Sequence, residues 1–335
     1  MTADTPHIPH LDPDDVRLFA GRSNPKLAAE LAGCLGVPLE TTALSRFSND
    51  NLYVQLGASV RGRAVYIVQS LTPPVSDHLV ELLMMLDIAK GAAAREVHAI
   101  IPYFSYARSD KKDAPRISIT ARLVADLLKT AGATHVMTMT LHSPQVHGFF
   151  GIPTDPLTAR GLFADYFAPH DFNSTDTIVV APDMGSAKSA ARFADMLGLG
   201  VAAANKTRLD DKRVRINEQI GRQVSGYRRA IIHDDEIATG GTIVELSRVL
   251  LEFGIEEITI ACTHGLFLGD AIEQLAGIPQ IVEVATTDTV AIPGQRSLAN
   301  RVTLSTAPVF AAAIQQNYHR RSIGELFDFA PPDEE

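Results

Sequence analysis

The 335-residue chain has no tryptophan, two cysteines (Cys34 and Cys262) and an aromatic fraction of 6%. Two thiols cannot build a disulfide framework or a four-thiolate metal site, so a reducing, cytoplasmic setting is expected. So few rings exclude a platform on which nucleic-acid bases stack. An excess of basic charge is missing as well: 30 Lys plus Arg against 39 Asp plus Glu leave a net charge of −9. That balance repels a phosphate polymer, and any phosphate bound is expected to be small and locally held. No apolar run approaches the roughly 18 residues needed to span a bilayer, so no membrane association is expected. The opening MTADTPHIPHLDPDD lacks a basic start and an apolar stretch, and reads as a short flexible arm over residues 1–15.

What is present is the composition of an ordinary globular protein, 46% apolar and 21% charged. At roughly 150 residues per domain, the length suggests two domains. Short apolar runs alternate with amphipathic stretches, the pattern of parallel strands joined by crossover helices, so the fold class is α/β. Strands are expected at Ala64–Gln69, Val97–Tyr103, His135–Leu141, Thr177–Pro182, Arg229–His233, Glu257–Thr263 and Ile281–Ala285. Helices are expected at Ser76–Lys90, Ile117–Thr130, Ser186–Leu197 and Thr242–Phe253, with a further one near Pro308–Tyr318. The segments at 127–142 and 249–264 echo each other as helix, Gly, strand, His. The echo reflects either two related halves or the habit of glycine to end helices. A boundary is expected in the proline-bearing stretch after Gly151, giving domains over 16–155 and 156–306 and a C-terminal helix and tail over 307–335 that packs on the first domain.

The segment that carries most chemistry is Ala230–Thr242, AIIHDDEIATGGT: an apolar strand, acids at its end, a glycine turn and a helix. The amides of Gly240, Gly241 and Thr242, with the hydroxyls of Thr239 and Thr242, are suited to a phosphate at a helix N-terminus. Asp234 and Asp235 just upstream suit sugar hydroxyls or a hard cation. A lone TGG would read as a surface turn, but the acidic pair beside it points to a bound sugar phosphate.

These residues resemble the PRPP-binding motif of type I phosphoribosyltransferases and ribose-phosphate pyrophosphokinases (PRPP synthetases). Val16–Gly21, Arg46-Phe47-Ser48, Val60-Arg61-Gly62, Val68-Gln69-Ser70, Pro102-Tyr103-Phe104, Tyr106-Ala107-Arg108 and Ile119-Thr120-Ala121 are similar to pyrophosphokinase landmarks, in order. So are Gly148-Phe149-Phe150, Pro182-Asp183, Thr263-His264-Gly265 and Ser322–Phe327, so the likeness covers nearly the whole chain. It implies two Rossmann-like domains of the type I phosphoribosyltransferase kind with the active site between them, and transfer of the diphosphoryl group of ATP to the 1-hydroxyl of ribose 5-phosphate. It also implies Mg2+ and a homo-oligomer, because adenine in the family is held partly by a neighbouring subunit.

By the same resemblance, Lys206 and Arg208, followed by the polar loop Leu209–Arg215, are the catalytic cations. Ribose 5-phosphate falls to Asp183, Asp234, Asp235, Thr239, Gly240, Gly241 and Thr242, with Lys188 matching a lysine after the Asp183 turn. ATP falls to Phe47, Asn49, Asn51, Arg108, Ser109 and Asp110, and metal to His142, Asp183 and Asp155. Departures cluster on the nucleotide and metal side. The family's Phe-Ser-Asp-Gly-Glu is Phe47-Ser48-Asn49-Asp50-Asn51 here, its Gln after Tyr-Ala-Arg is Ser109, its Asp-Leu-His is Thr140-Leu141-His142, and Gly151 and Ala238 replace acids. Amides donate as well as accept, so another nucleoside triphosphate could replace ATP as donor. The alternative is a non-catalytic, ligand-binding relative that regulates a true synthetase; retention of the cation pair and the acids favours the enzyme.

Overall fold

The computed structural model describes residues 11–204, 206–208, 214–216, 220–292 and 298–326. Long-range contacts divide the chain into two units, residues 1–158 with 305–335, and residues 159–304.

In the first unit the elements are β1 (Val16–Ala20), α1 (Pro25–Leu35), β2 (Leu39–Glu40), β3 (Thr42–Arg46), β4 (Leu52–Leu56), β5 (Ala64–Val68), α2 (Val75–Gly91), β6 (Glu96–Ile101), α3 (Thr120–Ala131), β7 (His135–Met139) and β8 (Thr154–Leu157). Six of the strands form one parallel sheet in the order β2-β1-β5-β6-β7-β8. Every residue of β5 and β7 is buried, which is why both read as unbroken runs instead of alternating ones. The core gathers Phe19, Ile67, Leu82, Met85, Leu86, Val97 and Val136. β3 and β4 pair antiparallel as a separate hairpin.

The second unit runs α4 (Arg160–Phe167), β9 (Thr177–Ala181), α5 (Ala187–Leu197), β10 (Gly200–Ala203), β11 (Lys206–Arg208), β12 (Val214–Ile216), α6 (Ile220–Val224), β13 (Arg229–Ile237), α7 (Gly241–Glu252), β14 (Glu257–Gly265), α8 (Ala271–Ala276), β15 (Ile281–Thr287) and β16 (Arg301–Leu304). Its sheet has the order β10-β9-β13-β14-β15-β16, again parallel, over a core of Ile178, Val180, Ile232, Leu246, Ile258 and Ile260. In chain order the strands of each sheet run second, first, third, fourth, fifth, sixth, and each unit carries a two-stranded hairpin between its second and third sheet strands. The chain then returns to the first unit as α9 (Ala307–Tyr318), which packs on α1. Ser305 Oγ donates to Glu30 Oε2 at 2.6 Å, and Tyr318 OH donates to Asp15 at 3.0 Å.

The strands expected from apolar runs are present, and four expected helices agree with α2, α5, α7 and α9 to within a residue. The helix expected from Ile117 begins only at Thr120, because Arg116 has a φ of 66° and the Ser118 carbonyl accepts a bond from Ser109 Oγ. The sequence echo pairs the fifth strand of one sheet (β7) with the fourth of the other (β14), so it joins non-equivalent strands and reflects helix-ending glycines, Gly132 and Gly254. The shared strand order, not that echo, relates the two units.

Candidate active site

In the second unit the parallel strands β9 and β13 deliver acids to their carboxyl ends. β13 pairs with β9 only as far as Ile232, then continues against β14, with Asp234 opposite Cys262 and Glu236 opposite His264. Asp234 and Asp235 therefore stand where β9 has already stopped, and Asp183 follows two residues after β9 ends. Burial raises the Asp234 carboxyl well above the usual carboxylate range, and the charges of Asp235 and Asp183 push the same way. The Asp235 amide donates to Asp234 Oδ1 at 3.0 Å, a smaller effect in the opposite sense. The Asp234 carboxyl thus resists ionisation because of its burial and of the acids on either side of it.

Behind them, His233 is buried with its ring stacked on Phe193 at 4.7 Å, and its pKa falls to about 4 through burial and the nearby Arg160 charge. The strand core under the acids is therefore neutral. Asp183 also serves its own turn: its Oδ1 accepts the Ser186 amide at 3.0 Å, just before α5. Lys188 is exposed on the first turn of that helix.

Past β13, Gly240 has a φ of 76° at the entry to α7, a conformation for which glycine carries no Cβ penalty. The first amides of α7 have no carbonyl a turn earlier to accept them, so Gly241 and Thr242 present donors together with the helix dipole. The turn is braced from β14. Leu266 and Phe267 donate their amides to Ile237 O at 2.9 and 3.2 Å, and Leu268 donates to Ala238 O at 2.8 Å. This brace was not expected; the Thr263-His264-Gly265 landmark just before it was the available signal.

Lys206 and Arg208 lie on β11, whose backbone pairs antiparallel with β12 (Lys206 opposite Ile216, Arg208 opposite Val214). A loop was expected over 209–215; residues 214 and 215 are strand, and residues 209–213 lie outside the described residues.

In the first unit, Phe47, Asn49 and Asn51 form the exposed tip of the β3–β4 hairpin. Arg108 ends a short 3-10 turn over Ser105–Arg108 that follows β6, with Ser109 and Asp110 next to it. The Ser109 hydroxyl donates to Ser118 O at 3.3 Å and accepts the Thr120 amide at 3.2 Å, so it braces the start of α3. His142 is exposed three residues beyond the end of β7. Asp155 Oδ2 is 2.7 Å from Nε2 of His135, the residue that begins β7. The register of β8 sets Asp155 opposite Met137, two residues along β7 from His135. Among the described residues, no three His, Cys, Asp or Glu side chains converge on one metal-sized point.

Two parallel α/β units, one with a glycine turn at a helix N-terminus and one with a polar loop after a strand's carboxyl end, define the type I phosphoribosyltransferase-like fold class. Comparison with known proteins narrows this. Residues 16–132 match the N-terminal domain of ribose phosphate pyrophosphokinase, and residues 218–328 the phosphoribosyl synthetase-associated domain. A putative ribose-phosphate pyrophosphokinase of Streptomyces coelicolor is 50% identical over 95% of this chain and 99% of its own length. The ribose-phosphate pyrophosphokinase of Deinococcus radiodurans is 45% identical over 92% of this chain and 97% of its own. The crystal structure of phosphoribosylpyrophosphate synthetase from Mycobacterium smegmatis superposes with a TM-score of 0.84 at 36% identity, covering 91% of this chain and 99% of that one. The chain belongs to the ribose-phosphate pyrophosphokinase family.

Proposed function

We propose that the chain is an active ribose-phosphate diphosphokinase, making PRPP and AMP from ribose 5-phosphate and ATP. The observation that carries this reading is the Asp234–Asp235 pair set directly before the Thr239–Thr242 turn at the carboxyl end of β13. That arrangement suits one ligand, a phosphorylated pentose. The turn's amides and hydroxyls take the 5-phosphate, while the carboxylates and Asp183 accept from the ring hydroxyls and hold the sugar's orientation. The 1-hydroxyl oxygen forms a bond to the β-phosphorus of ATP, the bond from that phosphorus to the oxygen bridging to the α-phosphorus breaks, and AMP leaves with that oxygen. The hydroxyl proton passes to solvent. Lys206 and Arg208 are assigned to the charge that develops on the transferring group, lysine as a point charge and arginine as a fork.

Phe47, Asn49, Asn51, Arg108, Ser109 and Asp110 are assigned to the nucleotide and His142 to its phosphates. Mg2+ fits the donor set: Asp183 with the charge-strained Asp234 offers hard oxygens, and a magnesium site is normally completed by substrate phosphates and water. When bound it neutralises triphosphate charge. Asp155, tied to His135, is left out of that site. The family resemblance further supports a cytoplasmic homo-oligomer. The test is AMP release by purified protein. It is expected to require both ribose 5-phosphate and Mg2+, and absence of turnover with every common nucleoside triphosphate would overturn the reading.

A further inference from the structure

The β3–β4 hairpin is not hydrogen-bonded into either six-stranded sheet, yet its tip carries three residues assigned to the nucleotide. Its base is anchored by Val54, buried in the core of the first unit, and β4 packs on α2. The tip is held differently. Arg46, the last residue of β3, donates from Nη1 to Asp50 Oδ1 at 2.8 Å and to Asp50 O at 2.9 Å, and from Nη2 to Asp77 Oδ2 at 2.5 Å. Asp77 lies in the first turn of α2, where a negative charge is favoured by the helix dipole. One guanidinium thus ties the turn to itself and to the helix.

Within the turn, the Phe47 amide donates to Asn51 O and the Asp50 amide to Phe47 O, both at 2.9 Å. The Asn51 amide donates to Asn49 Oδ1 at 3.3 Å. Asp50 has a φ of 72°, a left-handed conformation that costs a side-chain-bearing residue more than glycine. Asp tolerates it better than most, and here its carboxylate gains an arginine. The Phe47 ring, 56% exposed, stands edge-on to Tyr53 at 5.7 Å and is displayed, not packed away.

We propose that Arg46, through Asp50 and Asp77, is a positioning residue that pre-organises the Phe47–Asn51 turn for the nucleotide. The proposal rests on the assignment of that turn to ATP. It predicts a specific division of labour: the clamp acts on nucleotide affinity, not on the chemical step or on the pentose. Arginine is required for geometry, since a lysine ammonium lacks the planar fork that reaches both carboxylates at once. The clamp is also exposed to salt, because the side chains of Asp50 and Asp77 are 84% and 37% accessible.

The test uses Arg46→Ala, Arg46→Lys, Asp50→Gly and Asp77→Asn in the full chain, with ATP affinity by calorimetric titration, steady-state kinetics, and hydrogen exchange of the 47–51 amides. Exposed pairs of this kind are modest, so the ATP Kd and KM are expected to rise about two- to tenfold in the Ala, Gly and Asn variants. Arg46→Lys should recover part of the loss, while kcat and the KM for ribose 5-phosphate stay within about twofold. Added salt should shrink the gap between wild type and variants. Exchange at Asp50 and Phe47 should quicken in the same variants. Unchanged ATP affinity with unchanged exchange overturns the clamp, as does an equal loss in kcat and in both KM values. Weaker ATP binding and quickened exchange in the variants of a chain whose wild type never turns over would leave the clamp standing and overturn the assigned activity instead, so the two failures are distinguishable.

Discussion

At the scale of single residues, the end of β13 carries opposed titrations in neighbouring side chains. Asp234 has a folded-state pKa above its unfolded value, so its contribution to stability is full below about pH 4 and is lost as pH rises through the raised value. His233 runs the other way. Its pKa is pushed down to about 4, so its contribution is present above the unfolded value of about 6.5 and is lost as pH falls toward 4. Asp234→Asn, which removes the strained charge, is therefore expected to raise the midpoint of thermal unfolding at pH 8, by roughly 2–4 °C for about 1 kcal/mol. It should not do so at pH 4, and it should abolish most turnover. A lower midpoint at pH 8 would contradict the charge argument. Asp183 separates a structural role from a functional one. Asp183→Ala removes the bond to the Ser186 amide and should cost about 1 kcal/mol, whereas Asp183→Asn keeps an acceptor and should be close to neutral. Both should lose affinity for ribose 5-phosphate in a titration.

At the scale of elements, legibility followed burial. β5, β7 and β9 are buried along their whole length and stand out as apolar runs, and the acidic turn after β13 announces itself by composition. Among what escaped notice, β2 has two residues and the edge strands β8 and β16 have four each, too few to show a period, while the interior strand β1 and the helix α1 were missed despite their length. Proline at position 156 further hid β8, although an edge strand tolerates it. The Asp234–Asp235 pair and the Thr239–Thr242 turn stood out because acids and glycines directly after an apolar strand are unusual there. The Asp155–His135 contact was not legible, because a motif match says nothing of strand register and the β7–β8 pairing sets it. The β11–β12 ribbon gives the cation pair a different prediction from a free loop. Lys206→Ala should lower kcat by a factor of about 10² or more, with the dissociation constant for ribose 5-phosphate nearly unchanged, since a charge aimed at the transition state adds little to ground-state binding. Comparable losses in kcat and pentose binding would instead assign the lysine to the substrate.

At the scale of the whole molecule, the first unit is discontinuous: it is closed by α9, which leaves the second unit's last strand and returns to α1. Phe310 and Ile314 are fully buried there. Phe310→Ala should destabilise the first unit by about 3–5 kcal/mol, with hydrogen exchange quickening in β1 and α1 and not in β13 or β14. Uniform quickening across both sheets would show that the units do not unfold separately. A ribose-phosphate pyrophosphokinase moves a diphosphoryl group, not a single phosphoryl group, onto a pentose phosphate. Phosphorus NMR of a mixture of the protein, ATP, Mg2+ and ribose 5-phosphate tests it most directly. The three ATP resonances are expected to decay together into those of AMP and a diphosphate carried on the sugar. Formation of ADP with a monophosphorylated sugar carbon, or ATP left intact, would contradict it.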